Sequence, residues 1–262
     1  MKKVKALIFR TAGTNCDYET QTAFEECKAV VDKIHINAAI ENKNKLSEYD
    51  ILVFPGGFSY GDDIASGKIL ANEVKNKLGD ILQKFALSAK PIIGICNGFQ
   101  VLIKMGLLPD PHSFEQIATL SNNDSNKFEC RWIYLKTKND FQKDSSCLWT
   151  KNLPDIITLP IAHAEGKFIA KYKKVLDDLK KNNQIALRYC DRDGNIPQYP
   201  FDPNGSERQI AGICNQKGNV FGLMPHPERF VFSAQHPLKE SADGGKYGWG
   251  KIIFQNAVEY VG

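Results

Sequence analysis

The chain has 262 residues, 42% of them hydrophobic and 24% charged, with a net charge of +4 from 34 basic and 30 acidic side chains. This is the composition of a folded globular protein, and it excludes disordered, fibrous and disulfide-scaffold classes. The basic residues form no stripe and no run of about 20 apolar residues exists, which argues against nucleic-acid binding and a membrane span. In chain order, residues 3–9 read as a strand, 18–30 as a helix and 31–36 as a strand. Asp50–Phe54 is a buried strand ending at Pro55-Gly56-Gly57. Ile69, Leu70, Val74, Leu78, Ile81, Leu82 and Phe85 recur at helical spacing and predict a long helix within 66–88. Pro91–Ile95 reads as a strand and 98–105 as a helix. Strands follow at 128–137, 157–162, 184–190, 209–214 and 219–223, interrupted by polar stretches at 138–153 and 191–206. A helix over 251–261 closes the chain.

The β-α-β-α order predicts a flavodoxin-like α/β fold, with a mostly parallel central sheet and helices on both faces. No repeat or linker divides the chain, so residues 1–262 read as a single domain with loop insertions. In such sheets, sites form at the carboxyl ends of strands. The seven cysteines include no C-x-x-C pair, and the five histidines no H-x-x-x-H spacing, so no metal site is expected. The apolar run near Met1 is too short for a signal peptide. A cytoplasmic protein with free thiols is the expectation.

Gly94-Ile95-Cys96-Asn97-Gly98 stands between a buried strand and a helix, with the spacing of a nucleophile elbow carrying Cys in place of Ser. Flanking side chains would clash in so tight a turn, so glycine is needed on both sides. The turn also sets Cys96 at a helix N-terminus, where free amides favour the thiolate. The backbone N–H of Asn97 is then one oxyanion donor, and Phe54-Pro-Gly-Gly-Phe58 suits the second. The plain alternatives are a buried structural Cys and an ordinary tight turn. The other six cysteines lack this context and read as structural.

Cysteine catalysis usually needs a His and a group that orients it. His226 lies in Leu223-Met-Pro-His-Pro-Glu-Arg229, directly after a predicted strand. Pro227 forces His226 into an extended conformation, where residues i and i+2 project to the same side. Glu228 can therefore stand beside His226 and fix its tautomer. The alternative is a Pro-rich loop with a surface His. His35, His112 and His236 have plain strand or loop readings.

These residues resemble the class I (triad) glutamine amidotransferases, and within them the glutaminase subunits of phosphoribosylformylglycinamidine synthases, from purine biosynthesis. The resemblance spans nearly the whole chain. It is carried by Gly13-Thr-Asn-Cys-Asp17, Phe54-Pro-Gly-Gly-Phe-Ser-Tyr-Gly-Asp-Asp63 and Gly94-Ile-Cys-Asn-Gly-Phe-Gln100. Pro203-Asn-Gly-Ser206 and Met224-Pro-His-Pro-Glu-Arg229 complete it. Asn97 and Phe99 point to the purine branch, because other branches tend to carry Leu-Gly-His-Gln after the Cys. The resemblance implies Cys96 as nucleophile, His226 as general base, Glu228 as its partner, Gly57 and Asn97 as oxyanion amides, and Gln100 near bound L-glutamine. Ala162-His-Ala-Glu-Gly166 resembles a family segment that usually has Gly at position 164, which makes His163 and Glu165 a possible secondary site. A structural hydrogen-bonded pair is the other reading of those two residues.

The implied chemistry is hydrolysis of L-glutamine to glutamate and ammonia through a Cys96 thioester. The chain has no G-x-x-x-x-G-K-[ST] loop. No cofactor is expected on it. The resemblance assigns ATP and Mg to a large synthetase subunit, often joined by a small third subunit. That partner would convert formylglycinamide ribonucleotide to the amidine. Neither nucleic acid nor membrane is an expected partner. A free-standing Cys hydrolase of the peptidase or deglycase type on a similar fold is the alternative, although Asn97 stands where those proteins often carry His.

Overall fold

A computed structural model describes residues 3–137, 146–242 and 244–262. Its first half alternates β1 (Lys5–Arg10), α1 (Asp17–Glu26), β2 (Val30–His35), α2 (Ile36–Glu41), β3 (Ile51–Phe54), α3 (Lys68–Leu87), β4 (Ile92–Ile95) and α4 (Asn97–Met105). The second half contains β5 (Ala118–Ser121), β6 (Glu129–Lys136), β7 (Ile156–His163), β8 (Lys167–Ala170), α5 (Lys173–Lys181), β9 (Ile185–Cys190), β10 (Ile210–Cys214), β11 (Val220–Leu223) and α6 (Trp249–Val261). Nine strands form one sheet in the order β2-β1-β3-β4-β11-β10-β9-β6-β7. It is parallel from β2 to β11 and antiparallel from β11 to β7. β3 and β4 are buried at every position, as strands covered on both faces must be. Helices flank the sheet in two groups, α1 with α6, and α3 with α2 and α4. This is the α/β architecture that the element order predicts, but the sheet is mixed, with four of its eight pairings antiparallel. No helix of the described residues is long and apolar enough to cross a membrane.

The register of the central strands decides what meets at their carboxyl ends. Phe54 pairs with Gly94, and Ile95 pairs with Leu223. The three segments that leave these strands, Pro55–Gly57, Cys96–Asn97 and Met224–Glu228, therefore emerge at one edge of the sheet.

Several elements depart from the sequence expectation. The first helix ends at Glu26, not residue 30. Lys28 turns left-handed with φ 67. Ala29 N–H returns to Phe24 O at 3.1 Å and Lys28 N–H to Glu25 O at 2.8 Å, a Schellman stop with no glycine to announce it. The sequence reading contains neither α2, α5, β5 nor β8. In α5 only Val175, Leu176 and Leu179 are buried on an otherwise charged helix, and β5 and β8 are four-residue strands that pair only with each other. The stretch 138–153 is not simply a polar insertion. Residues 138–145 lie outside the described residues, but Trp149 is fully buried and donates its indole N–H to Asn219 O at 3.0 Å. Asn256 of α6 donates to Trp149 O at 3.0 Å, which ties this segment to the last helix. The described residues between 232 and 250 likewise fold back on the sheet rim, with Phe232 bridged to Tyr247 and His236 set between Trp132 and Phe230.

Candidate active site

Cys96 is the single residue between β4 and α4, and it is held at φ 51 and ψ −105. An L-residue confined there costs of order 1–3 kcal/mol. The glycines around it are required by space. A Cβ on Gly98 would stand 1.9 Å from Phe54 O, and one on Gly94 would stand 2.6 Å from Gly98 O. Cys96 N–H donates to Leu223 O at 2.8 Å, so β11 holds the elbow directly. Its Sγ lies 3.7 Å from Ala162 O, at the end of β7. The first amides of α4 have no partner within the helix, which leaves Asn97 N–H beside the thiol.

The chain leaves β11 through Met224-Pro225, and His226 N–H donates to Pro160 O at 2.8 Å. His226 is extended, with φ −106 and ψ 90. Its Nδ1 stands 2.6 Å from Glu228 Oε1, and both side chains are buried. A carboxylate only accepts, so Nδ1 carries the proton. Nε2 then has no hydrogen-bond partner among the described residues. Burial opposes a charged imidazole here. The Glu228 carboxylate, then Cys96, outweigh it and hold the His226 pKa well above its ordinary value. The thiol, the imidazole and the carboxylate are thus brought together from the carboxyl ends of two neighbouring strands, β4 and β11.

The glycine loop faces them. A Cβ on Gly56 would stand 2.9 Å from His226 Cε1, so this position gives way to the ring. Gly57 has φ 146 and packs on the 13–15 turn, where a Cβ would meet Gly13 O at 2.6 Å. Asn15 and Cys16 donate their N–H groups to Gly56 O at 3.4 and 3.3 Å. The Gly13–Asp17 segment therefore braces the loop that carries Gly57.

One cysteine read from sequence as structural lies at this site. Cys16 Sγ is 3.9 Å from His226 Nδ1, and Arg229 Nη2 donates to it at 3.1 Å. Burial raises the Cys16 pKa, the hydrogen bond from His226 working against it. Its position just beyond the carboxyl end of β1 was the available signal, since sites gather at strand ends. Cys16, His226 and Glu228 offer donor atoms within 4.8 Å of one another. Glu228 is already engaged with Nδ1, and the Arg229 guanidinium supplies a positive charge against Cys16.

Asn97 and Gln100 tie the elbow to its surroundings. Asn97 Oδ1 accepts from Ser59 N–H at 3.2 Å, while its Nδ2 donates to Asp62 Oδ1 at 3.1 Å and Gln100 Oε1 at 3.0 Å. Gln100 Nε2 donates to Glu165 O at 2.6 Å. Both ends of the Gln100 amide are thus engaged by protein. His163 and Glu165 form the wall behind it. His163 Nδ1 stands 3.1 Å from Asn123 Oδ1, and its pKa is pushed down to about 3 by burial, then by the charge of His226. Glu165 Oε2 accepts from Ser66 N–H at 3.2 Å and faces Lys104 at 3.9 Å.

The model of the CobB/CobQ-like glutamine amidotransferase domain family matches residues 3–261. A phosphoribosylformylglycinamidine synthase subunit PurQ of Dehalococcoides mccartyi is 47% identical, over 100% of this chain and 99% of that protein. The PurQ subunit of Methanococcus maripaludis is 44% identical, over 98% of this chain and 97% of its own. Among solved structures, a chain of PurLQS from Thermotoga maritima covers 100% of both chains, at 33% identity and a TM-score of 0.74.

Proposed function

The chain belongs to the CobB/CobQ-like glutamine amidotransferase family, and on that premise we propose that it is the glutaminase subunit of a phosphoribosylformylglycinamidine synthase. The observation that carries the chemistry is the elbow cysteine beside a buried His–Glu pair. Cys96 Sγ attacks the side-chain amide carbon of L-glutamine. The proton it gives up stays on His226, because Glu228 at 2.6 Å favours the imidazolium. Negative charge on the tetrahedral oxygen meets the backbone N–H groups of Asn97 and Gly57. His226 then passes its proton to the departing nitrogen, and ammonia leaves a γ-glutamyl thioester on Cys96. Water, deprotonated by the now neutral His226, hydrolyses the thioester to glutamate.

The ammonia is used on a second protein, a large synthetase subunit that supplies the ATP and Mg chemistry. It amidates formylglycinamide ribonucleotide, and a small third subunit completes the assembly. The relatives named as synthase subunits and the PurLQS chain support this reading. So does the absence from the sequence of a phosphate-binding G-x-x-x-x-G-K-[ST] loop. The chain works as a single domain in the cytoplasm, where the Cys96 thiol stays reduced.

The test is Cys96→Ala in the reconstituted complex. Glutamine-dependent synthesis should be lost and ammonia-dependent synthesis kept. Glutamine-dependent turnover that survives the substitution would remove Cys96 from the mechanism.

A further inference from the structure

We propose that His163 is a positioning residue of glutamine hydrolysis: a neutral imidazole, protonated on Nδ1, that joins Asn123 in holding the 163–166 turn against Cys96 and Gln100. The tautomer follows from Asn123. Its Nδ2 donates to two backbone carbonyls, His163 O at 2.8 Å and Lys127 O at 3.0 Å. That fixes the amide orientation, so Oδ1 is the acceptor end. Oδ1 takes Gly166 N–H at 3.0 Å and stands 3.1 Å from His163 Nδ1. An oxygen with no hydrogen must receive one from the ring, so Nδ1 is the protonated nitrogen. Nε2 is left buried as a bare acceptor with no partner among the described residues.

The turn that Asn123 grips, together with the end of β7 that leads into it, touches the site at two points. Ala162 O lies 3.7 Å from Cys96 Sγ, and Glu165 O accepts from Gln100 Nε2 at 2.6 Å. From the other side, Gly166 O accepts from Asn204 Nδ2 at 3.0 Å and from Ser206 Oγ at 3.4 Å. This gives the Pro203-Asn-Gly-Ser206 segment a task. The ring also lies flat on the turn, since a Cβ on Gly166 would come within 2.2 Å of His163 Cε1. His163 therefore acts on Cys96 and Gln100 through the backbone, and no proton passes through it.

The kinetic half of the test rests on the glutaminase reading; the spectroscopic half does not. In the full-length chain labelled with 15N-histidine, His163 should be neutral at pH 7 with hydrogen on Nδ1. Hydrogen on Nε2, or on both nitrogens, would overturn the proposal without any variant. In the reconstituted complex, His163→Asn places an amide nitrogen where Nδ1 stands and should keep glutaminase kcat within about threefold. His163→Leu removes the donor and should lose roughly tenfold or more, as misplacement of reacting groups does. If His163→Asn is as impaired as His163→Leu, Nε2 itself acts and the positioning role is wrong. A wild-type complex with no glutaminase activity would instead refute the functional reading, while the nitrogen spectrum would still decide the tautomer.

Discussion

At the residue scale, Glu228 sets the charge of His226, the base of the proposed mechanism. Burial alone would keep that imidazole neutral, and the carboxylate 2.6 Å away reverses the balance. Glu228→Gln keeps the shape and removes the charge. The His226 pKa should then fall, moving the alkaline limb of the kcat/KM profile to lower pH. The rate should drop by roughly 10,000-fold, the loss seen when the orienting carboxylate of a catalytic triad is replaced by its amide. A pH–rate profile of the variant complex checks this, and an unshifted alkaline limb would mean that Glu228 does not set the charge of His226. The tight turn at Cys96 and the pairing of His226 with Glu228 were legible in the sequence, because each is fixed by its immediate neighbours. Glycines frame the first, and Pro227 aligns the two partners of the second at i and i+2. Cys16 carried only the weak signal of its place after β1, and its part in the site went unread. It meets His226 from 210 positions away, and no local pattern encodes that meeting.

At the scale of elements, strands and long helices followed their periodicity, whereas short or charged elements did not. A helix with three buried residues, such as α5, leaves little apolar signal. The end of α1 is set by backbone hydrogen bonds around Lys28 and carries no residue signature. The segment 146–153 shows the same limit, since its tryptophan is buried against β11 and α6 by contacts made at long range. Trp149→Ala should therefore cost about 3–5 kcal/mol of stability, as large-to-small core substitutions do. Chemical denaturation checks this. A loss below about 0.5 kcal/mol, as for a surface site, would place the segment outside the core.

At the scale of the whole molecule, β11 joins the parallel and antiparallel halves of the sheet, pairing with β4 on one side and β10 on the other. Because no seam separates the halves, we expect one cooperative unfolding transition, and two resolved transitions would contradict the single-domain reading. Its pH dependence follows from His226. The folded pKa is raised above that of the unfolded chain, about 6.5. The stabilisation from this group is complete below that value and is lost as pH rises toward the folded pKa. Stability measured against pH should decline over that window in the wild-type chain, with a shallower slope in Glu228→Gln. A wild-type slope equal to that of the variant would show that the pair adds nothing to folding.

The sequence by itself determined the alternation of strands and helices, the strained turn at Cys96 and the pairing of His226 with Glu228. Each of these rests on local sterics or on periodicity, which act between neighbours in the chain. The tertiary structure alone decided that Cys16 and Arg229 stand behind His226 and that Asn123 and Asn204 grip the turn beside Gln100. It also decided that the carboxyl ends of β3, β4 and β11 open at one edge. Those outcomes depend on strand register and on hydrogen bonds between distant segments, which form only when the sheet assembles.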